Sequence, residues 1–308
     1  MSDSAPALTD EFAAQRSHLI AVAYRLTGSV SDAEDAVQEA WLRLAALPRQ
    51  RRDEIRDLRA WLTTVVGRIG LDRLRSAAVR RERYVGQWLP EPIVTPLGST
   101  SGEDPLEAAV RDEGVRMAAM VVLDTLSAEQ RVAFVLHDAF DVPFAEIAGI
   151  LGCSPAAARQ HASRGRRALA DAEPPPRAPL PEQQALLERL VAAMATADVQ
   201  AIAEVLHPDV VLIGDSDGRA RTTRQVMVGA DKLVRFFHGL ARMYSPEALA
   251  KATPVLVNGD LGLYIPASPG YGPYRALDTH VQSLAIRDGR IVAAYDHANP
   301  EKLTHVAV

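Results

Sequence analysis

Apolar positions recur at helical spacing through the first half of the chain and alternate like strands near its end. Residues 8–83 read as helices. Phe12, Leu19, Ala23 and Leu26 mark a first apolar stripe, which Gly28 ends. Ser31-Asp32-Ala33-Glu34 then reads as a capping box opening a second helix, with Val37, Trp41, Leu44 and Leu47 on its buried side. A third helix starts near Asp57 and buries Leu58, Leu62, Val65 and Ile69. Further along, residues 144–170 read as two helices joined by a tight turn. Ile147, Ala148 and Leu151 face a core, Gly152 takes the left-handed position after the last apolar residue, and Ser154-Pro155 is an N-cap followed by proline at the first helical position. Beyond residue 182, Leu186, Leu190 and Met194 mark a helix, 209–218 a strand and turn, and 231–243 another helix. The alternating runs 253–265 and 276–298, with Asn258-Gly259 and Asp288-Gly289 at their turns, read as hairpins of a meandering antiparallel sheet.

Between these blocks periodicity fails. Residues 84–111 and 173–181 are rich in proline and small residues and read as linkers. The first contains Trp88-Leu89-Pro90-Glu91-Pro92, an apolar, stiff, extended segment better suited to docking than to solvent. The expected organisation is therefore a helical block at 1–83, a linker at 84–111, a helical block at 112–172, a linker at 173–181 and an α+β domain at 182–308.

Charge changes the picture locally. The 308 residues carry a net charge of −5, so no global field draws the protein to nucleic acid. Residues 49–83, however, hold eleven arginines against five acids, a local balance of +6. The helix after Ser154 carries Arg159, His161, Arg164, Arg166 and Arg167 and no acid over its first four turns, a distribution suited to a helix in the major groove with phosphates at its flanks. The second helix shows the opposite sign in Asp32, Glu34, Asp35 and Glu39, with Gln38 among them. Cys153 is the single cysteine, which excludes an internal disulfide and a cysteine-based zinc site, and no histidine pair has metal-site spacing. The N-terminus lacks a signal-peptide pattern and no apolar stretch would span a bilayer, so a reducing cytoplasm is expected.

The motifs DAEDAVQEAWLRL (32–44) and DLRAWLTTVVGRIGLDRLRS (57–76) together resemble region 2 of a bacterial sigma factor of the extracytoplasmic-function (ECF) class, and 112–170 resembles region 4. WLPEP (88–92), the eroded glycine-rich motif Asp215-Ser216-Asp217-Gly218-Arg219 and the near-intact Asn299-Pro300-Glu301-Lys302-Leu303 resemble the hallmarks of the SigJ-like subgroup, which carries a fused SnoaL-like C-terminal domain. The resemblance implies a multidomain protein with two all-α sigma domains and an α+β cone. It implies a promoter-specificity subunit, not an enzyme, that binds the RNA polymerase core through its clamp helices and flap.

Carried over residue by residue, it places Asp32, Asp35, Gln38, Glu39 and Trp41 at the polymerase contact. It places Trp61, Arg68, Asp72, Arg73 and Arg75 at the −10 element, and Arg159, Gln160, His161, Arg164, Arg166 and Arg167 at the −35 element. Trp88, Leu89, Pro90, Glu91, Pro92, Asp215, Asp217, Gly218, Arg219, Asn299, Pro300 and Lys302 fall at an interdomain regulatory contact. No cofactor or metal is expected, and the C-terminal domain is a candidate site for an unidentified small ligand that the sequence does not specify. The chain departs from the family pattern at Arg68, Pro143, His161 and Gly165.

Two other readings stand beside this one: a SnoaL-like ligand-binding or enzymatic domain fused to a DNA-binding regulator, and a polymerase-independent helix-turn-helix repressor. Asp209, Asp215, Asp217, His207 and His280 are acid–base candidates by residue type alone, with no diagnostic spacing.

Overall fold

The computed structural model describes residues 4–98 and 113–306. Its chain forms two compact units, one of residues 1–82, 101–115 and 119–174, the other of 83–100, 116–118 and 175–308. Residues 99–111 of the linker at 84–111 lie outside the described residues.

The first unit opens with α1 (Ser4–Thr27), which stops where Gly28 adopts φ +69°. Helix α2 (Val30–Ala46) is capped by Ser29, whose Oγ accepts from the Asp32 amide at 3.2 Å. The cap is therefore two residues earlier than the Ser31–Glu34 box read from sequence. The chain leaving Gly28 puts Ser29 in the extended conformation an N-cap needs, and Ser31 and Glu34 become exposed helical residues. A short α3 (Arg49–Asp53) precedes α4 (Leu58–Arg81), where Asp57 Oδ1 accepts from the Ala60 amide. Leu19, Tyr24, Leu26, Leu44, Leu62 and Val66 are wholly buried among these helices.

The same unit contains α5 (Met117–Leu123) from residue 119 onward, α6 (Ala128–Phe134), α7 (Phe144–Leu151) and α8 (Pro155–Ala172). A reciprocal capping box of Ser127 and Gln130 starts α6. Gly152 takes φ +68° to close α7, and Ser154 then caps α8 by accepting from Ala157 N. Gly165 sits inside α8 because a Cβ there would come within 2.8 Å of Phe134 Cβ. Its unfavourable helix propensity is thus the condition for α8 lying close on α6. The helices of the two blocks meet within this unit. Arg131 is 1% exposed; its Nε donates to Arg25 O at 2.9 Å and its Nη1 to Asp124 Oδ1 at 2.9 Å, and Asp124 also takes Arg81 at 2.7 Å.

The second unit is a seven-stranded sheet with helices over one face. Its strands are β1 (Val94–Pro96), β2 (Leu206–Asp215), β3 (Met227–Val228), β4 (Thr253–Val257), β5 (Asp260–Ile265), β6 (His280–Arg287) and β7 (Arg290–His297), in the order β1-β4-β5-β6-β7-β2-β3. Asn258-Gly259 and Asp288-Gly289 form the β4–β5 and β6–β7 turns with positive φ at all four positions, as the sequence predicts. The sheet is not a pure meander, because β2 runs parallel to β7. The linker also supplies a strand that periodicity did not show: β1 pairs with the edge of β4 through Val94↔Val257 and Thr95↔Leu256.

Helices α9 (Leu180–Ala195), α10 (Val199–Val205), α11 (Ala230–Met243) and α12 (Pro246–Leu249) complete the unit. Leu186, Leu190, Ile202, Leu233 and Phe237 pack with Leu212, Ile286, Ile291 and Ala294 to form the core under the helices.

Candidate functional site

Three surfaces gather the residues singled out by sequence. The first is α8. Arg159, Gln160, Arg164, Arg166 and Arg167 all project into solvent, and His161 is half-buried. The buried side of the helix is made of Ala158, Ala162 and Gly165, small residues that let it seat on α6. Its arginines are not equivalent. Arg164 forms no ion pair among the described residues, and Arg167 has only Asp171 one turn on, at 3.7 Å. Arg159 lies over the Phe144 ring at 5.5 Å. Arg166, by contrast, grips Asp138 Oδ1 through Nε at 2.9 Å and Nη2 at 2.6 Å, so it ties the helix to its own unit.

The second surface joins α2 and α4. Asp35 and Gln38 are exposed, Asp32 and Glu39 less so, and Trp41 packs on Phe12 with ring centroids 5.0 Å apart. On α4, Arg68 and Asp72 are exposed and Trp61 is half-buried. Arg73 Nη1 lies 2.7 Å from Asp32 Oδ1 and 3.7 Å from Asp35 Oδ2. A cavity of about 240 Å³ between the helices is lined by Asp32, Glu39, Arg43, Ile69, Asp72, Arg73 and Ser76, so members of the two sets assigned to polymerase and to DNA line one space. Arg75 pairs with Glu129 at the start of α6, at 3.0 Å. That contact and the Thr64–Glu146 hydrogen bond (3.1 Å) join α4 to the second helical block.

The third surface lies wholly within the second unit and is built on Asp215, the last residue of β2. Its side chain is inaccessible to solvent and accepts from three donors: the Tyr84 hydroxyl, the Leu89 amide at 2.7 Å and Lys302 Nζ at 2.6 Å. Lys302 Nζ also donates to Leu89 O and stands 3.9 Å from the Trp88 ring centroid. Asn299 Nδ2 donates to Tyr84 Oη at 2.8 Å. Asp217 Oδ1 accepts from the Val85 amide at 3.0 Å, Gly218 lies against Val85, and Arg219 pairs with Glu301. His297 Nε2 is 3.0 Å from Pro90 O, and His305 contacts Pro92 O and Glu91. Leu89, Pro90, Glu91 and Pro92 are all buried.

An unpaired buried charge would be costly, but Lys302 and Asp215 neutralise each other and share further hydrogen bonds. Burial and the Asp215 charge push the Tyr84 hydroxyl far above its ordinary pKa, so it stays a proton donor. Burial likewise pushes His297 down.

Sequence motifs located most of this clasp but missed Tyr84, His297 and His305. It also missed a second anchor, in which Asp260 takes Arg116 at 2.8 Å and Arg177 at 3.1 Å, with Arg116 and Asp260 almost fully buried. An isolated arginine before an apolar run gives no sign of its partner. Among the other acid–base candidates, Asp209 is exposed and His207 half-buried, its Nδ1 accepting from the Asp209 amide, a local turn contact. His280 is buried against Asp296. Among the described residues no cluster of side chains suits a metal ion, and no helix is long and apolar enough to cross a membrane.

Residues 12–80 match the family Sigma-70 region 2, residues 116–169 Sigma-70, region 4, and residues 187–294 the SnoaL-like domain. The chain is 52% identical over 296 residues to the ECF RNA polymerase sigma factor SigJ of Mycobacterium tuberculosis, covering 96% of this chain and 92% of that protein. It is 34% identical to the probable ECF RNA polymerase sigma factor SigI of the same species, over 71% of this chain and 72% of that one. The crystal structure of M. tuberculosis SigJ superposes with a TM-score of 0.81 at 49% identity, covering 96% of this chain and 98% of that chain. Two sigma regions in this order, a SnoaL-like domain behind them and similarity along nearly the whole length together place the chain in the family of ECF RNA polymerase sigma factors, proteins that direct transcription initiation and catalyse no reaction themselves.

Proposed function

We propose that α8 reads the −35 element, that α4 reads the −10 element, that the acidic side of α2 docks on the polymerase clamp helices while the second helical block meets the flap, and that the C-terminal domain regulates these steps in cis. Gln160 and His161 supply base contacts, whereas Arg159, Arg164 and Arg167 supply phosphate contacts. Arg166 holds the helix in place. The protein works in the cytoplasm with the polymerase, and a small ligand in the C-terminal domain is a further input to it.

The observation that carries cis regulation is the clasp on Asp215. Residues 84–98 are part of the C-terminal unit, and they belong to the only chain segment connecting α4 to α5. Holding these fifteen residues removes up to roughly 50 Å of extended reach from the tether between the two promoter-reading regions. The domain thereby sets how far those regions can separate, and a change in the clasp changes which spacings of the two elements the protein accepts.

In vitro transcription with core polymerase tests this on the full-length chain. Lys302→Ala, which strips a donor from Asp215, and Trp88→Ala, which removes an aromatic anchor of about 2 kcal/mol or more, are each assayed on promoters with the −10/−35 spacing varied base by base. The expected result is a broadened spacing preference with core affinity unchanged. Identical spacing profiles for wild type and both variants would make the C-terminal domain a passenger.

A further inference from the structure

The β4–β5 turn of the second unit gathers several passes of the chain. Residues 119–174, which include α8, are inserted into the chain of this unit, which runs up to Ala118 and resumes at Pro175. Both ends of the insert arrive at Asp260, the first residue of β5. Arg116, just ahead of α5, donates from Nε to Asp260 Oδ2 at 2.8 Å. Arg177, shortly after α8, donates from Nε to Asp260 Oδ1 at 3.1 Å and from Nη2 to Asn258 O at 3.2 Å. Arg116 also reaches the exit directly, donating from Nη1 to Pro175 O. Entry and exit are thus bonded to one carboxylate and to each other. The residues on either side of Asp260 hold the linkers. Asn258 N donates to Ile93 O at 2.8 Å, and Asn258 Oδ1 accepts from Ile93 N at 3.0 Å. Leu261 N donates to Gln183 Oε1 at 2.7 Å, and Gln183 Nε2 donates to Ala178 O at 2.6 Å.

This junction is dry and stiff. Arg116 and Asp260 are 5% and 4% exposed, and Pro175 is buried. Each carboxylate oxygen takes one guanidinium, so both contacts are charge-assisted hydrogen bonds away from competing water. The connections leading out of it are stiff too. Helix α5 starts at Met117 and runs on past residue 118 into the insert, so a helix makes the entry. On the exit side Pro174-Pro175-Pro176 follow α8, and their rings fix φ along the run. Neither connection can absorb much rotation, so what is fixed at Asp260 is passed on to the insert.

We propose that Asp260 is a positioning residue for region 4. By holding the entry and the exit of residues 119–174 on one carboxylate, it fixes the direction in which α8 is presented, and with it how much the −35 element adds to promoter binding. The clasp on Asp215 limits reach, whereas this junction limits rotation. A segment held at one end swivels on its connector; held at both ends it turns only by breaking a contact. Loss of either arginine therefore releases most of what loss of both would release. The inference rests on the reading of α8 as the −35 reader.

The test titrates holoenzyme, made from core polymerase and the full-length chain, against a promoter that it transcribes and against the same DNA with the −35 sequence scrambled. The ratio of the two affinities is what the −35 element adds. Free protein is titrated separately against a −35 duplex. Asp260→Asn would leave two guanidiniums without their counter-charge and cost folding as well. Arg116→Gln, Arg177→Gln and the double variant carry the test instead. Arg177, whose side chain is 22% exposed, decides it if the buried Arg116 proves necessary for folding.

The expected result is a ratio at least about threefold lower in either single variant, as the effective concentration of a tethered site falls when its orientation is released. The double variant should fall little further, and affinity for the isolated −35 duplex should equal that of wild type. A ratio unchanged in Arg177→Gln would mean that region 4 is presented without this anchor. Losses that multiply in the double variant would make the arginines two separate contacts and not one junction. A duplex affinity that falls as far as the ratio would place the effect in α8 itself. Wild-type protein that binds the −35 duplex no better than a scrambled one would overturn the reading of α8, and this inference with it.

Discussion

The two basic surfaces of the first unit carry the same residue type in opposite states. On α8, Arg164 projects into solvent with no ion pair, and Arg167 has only a long contact within its own helix. On α4, Arg73 is held by Asp32, Arg75 by Glu129, Arg81 by Asp124, and Arg59 donates to His18 Nδ1 at 2.9 Å; Arg68 alone among its described arginines has no partner. If both surfaces meet DNA as proposed, the first is open to phosphate and the second must exchange protein carboxylates for it. Exposed ion pairs are worth about 0–1 kcal/mol, so this exchange is affordable for Arg75, which is 53% exposed, and harder for Arg73, which is 23% exposed. An arginine-rich run thus signals affinity for acids, and which acid it holds depends on the tertiary partner.

The largest effect should come from the free surface. Arg164→Ala with Arg167→Ala should weaken −35 binding at every salt concentration and lower the log–log salt slope by roughly two units, one per phosphate contact. Fluorescence anisotropy across a salt series measures both. A slope equal to that of wild type would make these two arginines a solvated face and erase the contrast with α4. Arg166→Ala sharpens the same comparison from the other side. Because Arg166 is bound to Asp138, its removal should lower stability and leave the slope closer to wild type.

A smaller effect is expected where the pair must be exchanged. Glu129→Gln removes the carboxylate that holds Arg75 while keeping a hydrogen-bonding side chain of the same length. Affinity for a single-stranded −10 oligonucleotide should rise about two- to fivefold, the release of an exposed pair worth up to ~1 kcal/mol. Urea denaturation should show a loss of stability no larger than that. An unchanged oligonucleotide affinity would mean that Arg75 serves α6 rather than DNA.

These residues also show what was legible. Helix positions, the turn before α8 and its caps were readable because each rests on local chemistry: Gly152 at positive φ, Ser154 accepting from Ala157 N, and period-3.6 apolar stripes. The clasp was readable only as a resemblance between short motifs, since Asp215, Trp88 and Lys302 are far apart in sequence and no periodicity joins them. Strand β1 was hidden because Val94-Thr95-Pro96 is too short to alternate and follows a proline-rich run. The parallel pairing of β2 with β7 was hidden because nothing local specifies a partner about eighty residues away. The reason for a glycine at 165 was hidden in the same way, since Phe134 is visible only in the fold.

The smallest effect concerns whether the charges on α4 are structural even away from DNA. His18 sits between α1 and α4: Arg59 Nη2 donates to Nδ1, so the remaining ring hydrogen is on Nε2 and is directed to Thr63 Oγ1 at 2.9 Å, while the Thr63 hydroxyl donates to Arg59 O. The neutral ring is the one that fits. Burial first, then the Arg59 and Arg25 charges, lower its pKa from 6.5 to about 4. Between those values the unfolded chain takes up a proton that the folded chain refuses. The His18 contribution is therefore complete above pH 6.5 and is lost progressively as the pH falls towards 4. Because the side chain keeps partial exposure, the amplitude should be on the order of 1 kcal/mol. His18→Gln retains an acceptor for Arg59 and a donor for Thr63 but does not titrate, so urea midpoints of wild type and variant should diverge on acidification through this window and run parallel above it. Parallel curves throughout would show that the Arg59–His18 contact adds nothing to folding, and would put Arg59 with Arg164 among the arginines left open for other partners.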